Sequence, residues 1–368
     1  MLTILHSESS LGWGGQENRT LHECVGLTKL GVRVIVLCKP ESLLAERGRA
    51  AGIEVRTHPM TSNRDISAIR YCMALIKSAS VDVVNTHSGD DSFICAIAGR
   101  LSGRRPAIVR TRHLALPITS KITYSRFPHR VVTVSEHVRR YLVGEKGIAE
   151  ERVVTVPTGI DLERFDPFAT PDTLRAELGL SPDALVAGTV AILRRKKGHH
   201  VLLAAIPDIL REVPGVVFVF AGDGPQRQNI EDKIKGLGIG ESVKLLGLRT
   251  DVPVVLKALD LFVLPTLQEA LGTSFLEAAA MRKPTVGTRV GGVPEAVKDG
   301  VTGLLVDPDD AKGLASAVVR LLKDGPLRRS MGEEGRKMVE RDFSTDKMVE
   351  RMLELYTGLV RQKAKQAL

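Results

Sequence analysis

Apolar positions alternate along this chain between two rhythms. Short, nearly continuous apolar runs, rich in Val, Ile and Leu, mark strands buried on both faces. Longer stretches with apolar residues three and four apart mark amphipathic helices. In the first half the runs predict strands at 2–6, 32–38, 53–57, 81–85, 107–110, 130–134 and 153–156. Helical patterns fall between them, for example at 17–30, 65–79 and 135–144, with Asp65 and Ser135 placed as N-caps. Near 156–170 the rhythm breaks into Pro, Gly and Asp, and a hinge is expected there. The alternation then restarts, with strands at 185–190, 216–220, 243–245, 261–264, 285–288 and 303–306. Helices are expected at 198–211, 251–258, 273–281, 293–298 and 309–323, and the tail from Ser344 to about Lys365 reads as one amphipathic helix carrying Met348, Met352, Leu355 and Leu359 on one face. Strand–helix alternation of this kind is the signature of parallel sheets wrapped by helices, an α/β fold. Two doubly wound units in tandem would face each other across a cleft at the carboxyl ends of their strands, where ligands of such folds bind.

Length agrees with this division, since 368 residues suit two domains of ordinary size. The expected domains are 1–163 with the tail 345–368, and 164–344. At 43% hydrophobic and 26% charged residues the chain fits a globular protein rather than a disordered one. No stretch approaches the apolar length of a membrane span, and the first residues lack a basic region followed by a long apolar run, so a cytoplasmic location is expected. Cys24, Cys38, Cys72 and Cys95 are widely spaced within apolar patterns, so they read as reduced core thiols and not as a metal site. The net charge of +9 is concentrated in the first half, at Arg100, Arg104, Arg105, Arg110, Arg112, Lys121, Arg126, Arg130, Arg139 and Arg140. A surface of this sign suits an anionic membrane or a phosphorylated acceptor, and equally describes a solvated basic face. With only 4% aromatic residues and no nucleic-acid-binding signature, no nucleic acid partner is expected.

Candidate chemistry gathers where strands end. After the strand at 261–264, Glu269, Ala270, Leu271 and Gly272 lead into a helix that starts with Thr273 and Ser274. The free N–H groups and positive dipole end of that helix suit a phosphate. Glu277 follows Thr273 by one helical turn, where a carboxylate can accept both hydroxyls of a ribose, or simply complement the helix dipole. Glu269, before the helix, suits sugar hydroxyls or is a loop acid. After the strand at 185–190 come Arg194, Arg195, Lys196 and Lys197, then Gly198 opening a helix. Cations there would meet the charge that develops on a diphosphate leaving group, or form a solvated loop. The Gly222-Asp223-Gly224 turn is a weaker signal of the same kind. In the first half, Gly14 and Gly15 open a helix after the first strand, with Trp13 and Gln16 beside them as acceptor candidates. Neither a dinucleotide fingerprint nor a Walker pattern is present. Arg112 and His113 follow the strand at 107–110, which directs His113 to the expected cleft.

Together these segments resemble glycosyltransferase family 4, retaining enzymes of the GT-B fold, over nearly the whole chain. The most specific part runs from Glu269 to Glu277 and on through Pro284, Gly291-Gly292-Val293-Pro294-Glu295 and Asp299-Gly300. The segment at 156–161 resembles the family's interdomain stretch, and Gly222-Asp223-Gly224-Pro225 and 247–252 also match. The resemblance implies transfer of a sugar from a nucleoside diphosphate sugar to a hydroxyl acceptor with retained configuration, and because Lys197, the neighbouring arginines and the helix dipole can supply the positive charge, no metal or other cofactor is expected. With the basic first half it points to an anionic or lipid-linked glycan acceptor at the inner membrane face, as in lipopolysaccharide or polysaccharide assembly. It places Lys197 at the diphosphate, Glu277 at the ribose, Glu269 and His113 at the transferred sugar, and Gly272, Thr273 and Ser274 at the phosphates. Arg249 and Thr250 would border the base, Gly14 and Gly15 the phosphate and acceptor, and the last helix would cross back to the first domain. Two departures stand out. Ile192 occupies a position where the family often has arginine, for which Arg194 or Arg195 would have to substitute, and Ala270 replaces the usual glycine. The rival readings are a nucleotide-sugar epimerase or hydrolase on the same fold, and a non-catalytic module binding nucleic acid through the basic face.

Overall fold

Runs such as Val34–Cys38 have no polar face, so each must be covered on both sides, and a parallel sheet between two helical layers does this. The computed structural model describes residues 1–366 and forms these runs into two such sheets. The first comprises β1 (Thr3–Glu8), β2 (Arg33–Cys38), β3 (Glu54–Thr57), β4 (Val83–Thr86), β5 (Ala107–Arg112), β6 (Arg130–Thr133) and β7 (Val153–Thr155), in the order β3-β2-β1-β4-β5-β6-β7. The second comprises β8 (Val186–Val190), β9 (Val217–Ala221), β10 (Val243–Gly247), β11 (Leu261–Leu264), β12 (Thr285–Thr288) and β13 (Gly303–Val306), in the order β10-β9-β8-β11-β12-β13. The paired strands run parallel. In both sheets the strand order reverses once, between β1 and β4 and between β8 and β11. Crevices open at such switch points because the helices on either side depart in opposite directions.

The chain divides into two compact units, residues 1–159 with 345–368, and residues 160–344. The division falls between Gly159 and Ile160, earlier than the boundary at 163 expected from the sequence. Backbone bonding accounts for the shift: Ile160 N donates to Phe343 O at 2.7 Å and so joins the second unit. In the first unit the long helix Thr345–Gln366 packs on the helix Gly15–Lys29. Its Met348, Met352, Tyr356 and Leu359 sit in one core with Cys24, Leu27 and Val36. Gly26 makes that approach possible, because a Cβ there would lie 2.5 Å from a methyl of Val349. The second core gathers Val201, Leu202 and Ile206 from the helix His199–Glu212 against Phe218, Val263 and Val286.

Asp65 and Ser135 both cap helices, accepting from Ala68 N and Val138 N. The helix expected over 135–144 is the short helix Glu136–Arg140 followed by a wider, π-type turn at Tyr141–Glu145. Additional helices form at Leu43–Ala50, Gly89–Leu101, Arg227–Leu237 and Gly325–Asp342. All four cysteines are buried and free, and Cys72 and Cys95 lie with their sulfurs 3.5 Å apart. Among the described residues, no helix is long and apolar enough to cross a membrane.

Candidate active site

In the second unit the switch point brings together the loops after β8 and β11. Beyond β8 the backbone returns to the turn after β9: Ala191 N donates to Ala221 O at 3.0 Å and Leu193 N to Asp223 O at 3.0 Å. Gly222 has a φ of 146°, and a Cβ on it would lie 2.0 Å from Ala191 O. Gly222 and Asp223 therefore brace the basic loop, and the Asp223 side chain is spent on Gly224 N at 2.7 Å and on Arg227 at 3.9 Å. Gly198 is held at φ 72°, where a Cβ would overlap Pro265 O at 1.7 Å. Lys196 O accepts from Leu267 N at 2.7 Å and from Thr266 Oγ1 at 3.0 Å. These contacts fasten the two loops side by side and seat Lys197 Nζ on Glu269 Oε1 in a half-buried ion pair.

The helix Thr273–Ala280 starts from Gly272, which is left-handed at φ 93°, and no side chain caps it. Its first turn thus presents backbone N–H groups, with Thr273 and Ser274 half-buried and Leu271 buried. Glu277 lies one turn further along. Burial pushes its carboxyl up to about 7, while Arg164 and Lys197 pull it the other way. Among the described residues that carboxyl has no hydrogen-bond partner. The side chain is only partly buried, so this unpartnered carboxyl stays accessible to a ligand that can donate to it. The turn Gly291-Gly292 sits directly against the Glu269-Ala270 backbone, where a Cβ on either glycine would come within 2.1 Å of a carbonyl oxygen. This explains why the glycine pair accompanies the acidic loop.

Other expected residues are placed differently. Ile192 is 46% exposed. Arg194 and Arg195 are exposed and line a separate cavity of about 250 Å³ with His199, His200, Gln226 and Lys233. Burial, with Lys197 and His200 nearby, lowers His199 to about 4. Arg249 bridges Glu177 and Asp251, each at 2.7 Å, and these acids raise its pKa above the ordinary arginine value. Thr250 O accepts from Arg164 Nη2 at 3.3 Å. Arg164 was missed in the sequence because it lies within the irregular hinge segment, outside any strand-end pattern.

In the first unit the switch point is filled with polar groups bonded to one another. His113, at the end of β5, places Nε2 3.0 Å from His87 Nδ1, and His87 Nε2 lies 3.0 Å from His6 Nδ1. Burial lowers the pKa of all three imidazoles, His87 and His113 most strongly, and the neighbouring Arg19 acts in the same direction. Beside them Glu8 and Asp91 are buried, and burial raises both carboxyls. Glu8 accepts from Gln16 Nε2 at 2.5 Å and from Ser88 Oγ, and Asp91 accepts from Ser7 Oγ at 3.0 Å. Gly14 N donates to Glu17 Oε2 at 2.8 Å, so the Glu17 side chain satisfies the amide at the helix start, while the space beside Gly15 is open. Trp13 packs against the core with Arg47 stacked 4.0 Å from its ring centre. Arg112 donates to Tyr124 Oη at 3.2 Å and to Leu116 O. His6, Glu8 and His87 were missed, although His87 follows β4 just as His113 follows β5, so the same strand-end rule would have found it.

Two family models match the chain in succession. Residues 13–164 match the model described as Glycosyltransferase Family 4, and residues 171–338 match that described as Glycosyl transferases group 1. An N-acetyl-alpha-D-glucosaminyl L-malate synthase of Bacillus anthracis is 31% identical, over 81% of this chain and 80% of the relative. A UDP-Gal:alpha-D-GlcNAc-diphosphoundecaprenol alpha-1,3-galactosyltransferase of Escherichia coli is 28% identical, over 82% and 81%. Among solved structures, a glycosyltransferase from Rickettsia africae ESF-5 superposes with a TM-score of 0.90 at 22% identity, covering 98% of each chain.

Proposed function

The chain belongs to glycosyltransferase family 4 and is a glycosyltransferase of GT-B fold, and from that premise we propose that it transfers a sugar from a nucleoside diphosphate sugar to a hydroxyl acceptor with retained anomeric configuration. The observation that carries the donor assignment is the partnerless carboxyl of Glu277, one turn past an uncapped helix start and close enough to Lys197 to feel its charge. A ribose diol supplies the two donors that Glu277 lacks, and the N–H groups before it meet the phosphates. As the bond to the sugar breaks, negative charge grows on the diphosphate. Lys197 and the helix end meet that charge, so the reaction needs no metal. Glu269, released from Lys197 when the diphosphate takes its place, turns to the sugar hydroxyls. The Escherichia coli relative is named for a UDP-Gal donor, which supports a nucleoside diphosphate sugar here.

The acceptor reading is a glycan or glycolipid of the cell envelope, reached at the inner membrane face. The same relative is named for a diphosphoundecaprenol-linked acceptor. In this chain Arg100, Arg126, Arg130, Arg152 and Lys363 line a cavity of about 460 Å³ in the first unit. Several of them hold backbone carbonyls rather than acids, which leaves their positive charge available to an anionic surface. The test is a transfer assay with donors labelled at the anomeric carbon, run with EDTA, against GlcNAc-diphosphate-lipid in anionic vesicles and against soluble hydroxyl acceptors. Retained configuration in a lipid product is expected. Donor turnover without acceptor would instead indicate a hydrolase or epimerase, and transfer to soluble acceptors alone would remove the membrane reading.

A further inference from the structure

The three imidazoles of the first unit form a continuous line that ends on an acid from another element. His6 Nε2 lies 3.8 Å from Glu23 Oε1, on the helix Gly15–Lys29. That oxygen accepts the hydroxyl proton of Tyr356 at 2.5 Å, and Tyr356 Oη accepts from Asn85 Nδ2 at 2.7 Å. Asn85 Oδ1 in turn accepts from Thr111 Oγ1 at 3.0 Å, and because Tyr356 donates its one proton to Glu23, the amide must turn its NH₂ to Tyr356. Arg19 faces Glu23 Oε2 at 3.9 Å and is anchored on Val156 O at 2.9 Å. His6, Glu23 and Tyr356 are fully buried, and His6 and His87 lie with ring planes only 11° apart.

A neutral imidazole carries one proton, on either Nδ1 or Nε2. Two hydrogen-bonded imidazoles must therefore share a direction, and three in a line have only two arrangements. In one, all three carry the proton on Nε2, so that His113 donates to His87, His87 donates to His6, and the His6 N–H faces Glu23. In the other, all three carry it on Nδ1, and a lone pair of His6 faces the Glu23 oxygen. Glu23 Oε1 is acting as an acceptor, so the first arrangement is attractive at that end and the second repulsive. At 3.8 Å the contact is an electrostatic bias and not a hydrogen bond. At the opposite end His113 is 8% exposed, and its Nδ1 has no partner among the described residues. The charged groups near that ring are Arg19, Arg110 and Arg112, which favour its neutral form.

We propose that Glu23, held by Tyr356 of the last helix, fixes the tautomer of His113 through His6 and His87, so that His113 presents an unprotonated Nδ1 that accepts a hydrogen bond from a substrate hydroxyl. The substrate half of this inference rests on the reading of His113 as facing the transferred sugar. The tautomer half stands by itself. Glu23 is thus a positioning residue, and the last helix is part of the catalytic apparatus of the first unit through Tyr356.

The test is two-bond proton–nitrogen correlation NMR on the full chain labelled with ¹⁵N-histidine, at neutral pH without ligand. Signals are assigned by their loss in single His→Gln variants. His6, His87 and His113 are expected as the Nε2–H tautomer in the wild type. In Glu23→Gln, where the amide removes the charge and can turn its NH₂ toward His6, His113 is expected to shift to a mixture of tautomers. The kcat of this variant should fall by about tenfold or more, as expected for a misdirected imidazole, with nucleotide affinity unchanged. An Nδ1–H tautomer at His113 in the wild type would overturn the proposal, as would a Glu23→Gln spectrum identical to it. If the tautomers are as expected but His113→Ala retains full kcat, the imidazole line stands and the placement of the sugar at His113 fails.

Discussion

The switch points of the two sheets are built from the same topology and finished in opposite ways. In the first unit the polar groups spend themselves on each other: histidine on histidine, Glu8 on Gln16 and Ser88, Asp91 on Ser7. Among the described residues the ends of the imidazole line are left over, the outer nitrogen of His113 facing outward and His6 Nε2 facing Glu23 at 3.8 Å. In the second unit the polar groups are few, and they wait. Among the described residues Glu277 has no hydrogen-bond partner, the start of its helix has no side-chain cap, and the Lys197 side chain holds only Glu269. A closed network fixes orientation, because moving any member breaks several bonds. A site with unmet groups binds, because a ligand supplies what the fold withheld. On this contrast we assign the donor to the second unit, and to the first one imidazole held in a chosen state.

Four substitutions break or sharpen that contrast. Lys197→Ala should reduce kcat/KM by on the order of 10²–10³-fold, the usual loss when one stabiliser of a developing anion is removed, read by steady-state donor consumption. Gly198→Ala should destabilise the protein by about 2–3 kcal/mol in urea unfolding, since the new Cβ must displace Pro265 and occupy a left-handed backbone. It should also separate Lys197 from Glu269.

The third substitution tests the unmet acid. The Glu277 carboxyl is raised from 4.5 to about 7, so the folded state binds a proton that the unfolded chain has already released. Stability is therefore lost as pH rises through that interval. Glu277→Gln removes the loss: it should be neutral at pH 4 and stabilising by ~1–2 kcal/mol at pH 8, the shift being discounted for the partial exposure of the residue. A pH-independent difference would mean that Glu277 is not held uncharged by its surroundings. The smallest effect is expected at Ile192. Ile192→Arg adds a cation at an exposed position and should lower the donor KM by roughly twofold to fivefold, the scale of an exposed charge contact.

The expected strands were legible because a buried parallel strand needs an unbroken apolar run, and few other structures use one. The helix Gly325–Asp342 was not legible for the opposite reason. It is largely polar and packs through glycines: a Cβ on Gly332 would lie 2.1 Å from Arg282 O, and one on Gly335 3.2 Å from the Ala279 methyl. Its buried apolar side chains, Met331, Met338 and Val339, are interrupted by these glycines and outnumbered by charged residues, which weakens the stripe that a periodicity argument detects. The helix Arg227–Leu237 buries only Ile230 and Ile234, too few to mark a face. At the sites, Lys197, Glu269 and Glu277 could be named from strand ends and helix starts. Their pairing could not, because it depends on Gly198 and Pro265 touching across 67 positions of chain. The line from His113 to Tyr356 was hidden for the same reason, since it is assembled from three strands and two helices.

The most direct measurement is calorimetric titration of the wild type and of Glu277→Ala with UDP, GDP and ADP in the presence of EDTA. The account predicts that the wild type binds one of these nucleotides without metal, and that Glu277→Ala loses most of that affinity while keeping its melting temperature or gaining a little. Equal affinity in the two proteins would contradict it, because the partnerless carboxyl would then not be the ribose acceptor on which the donor site is built.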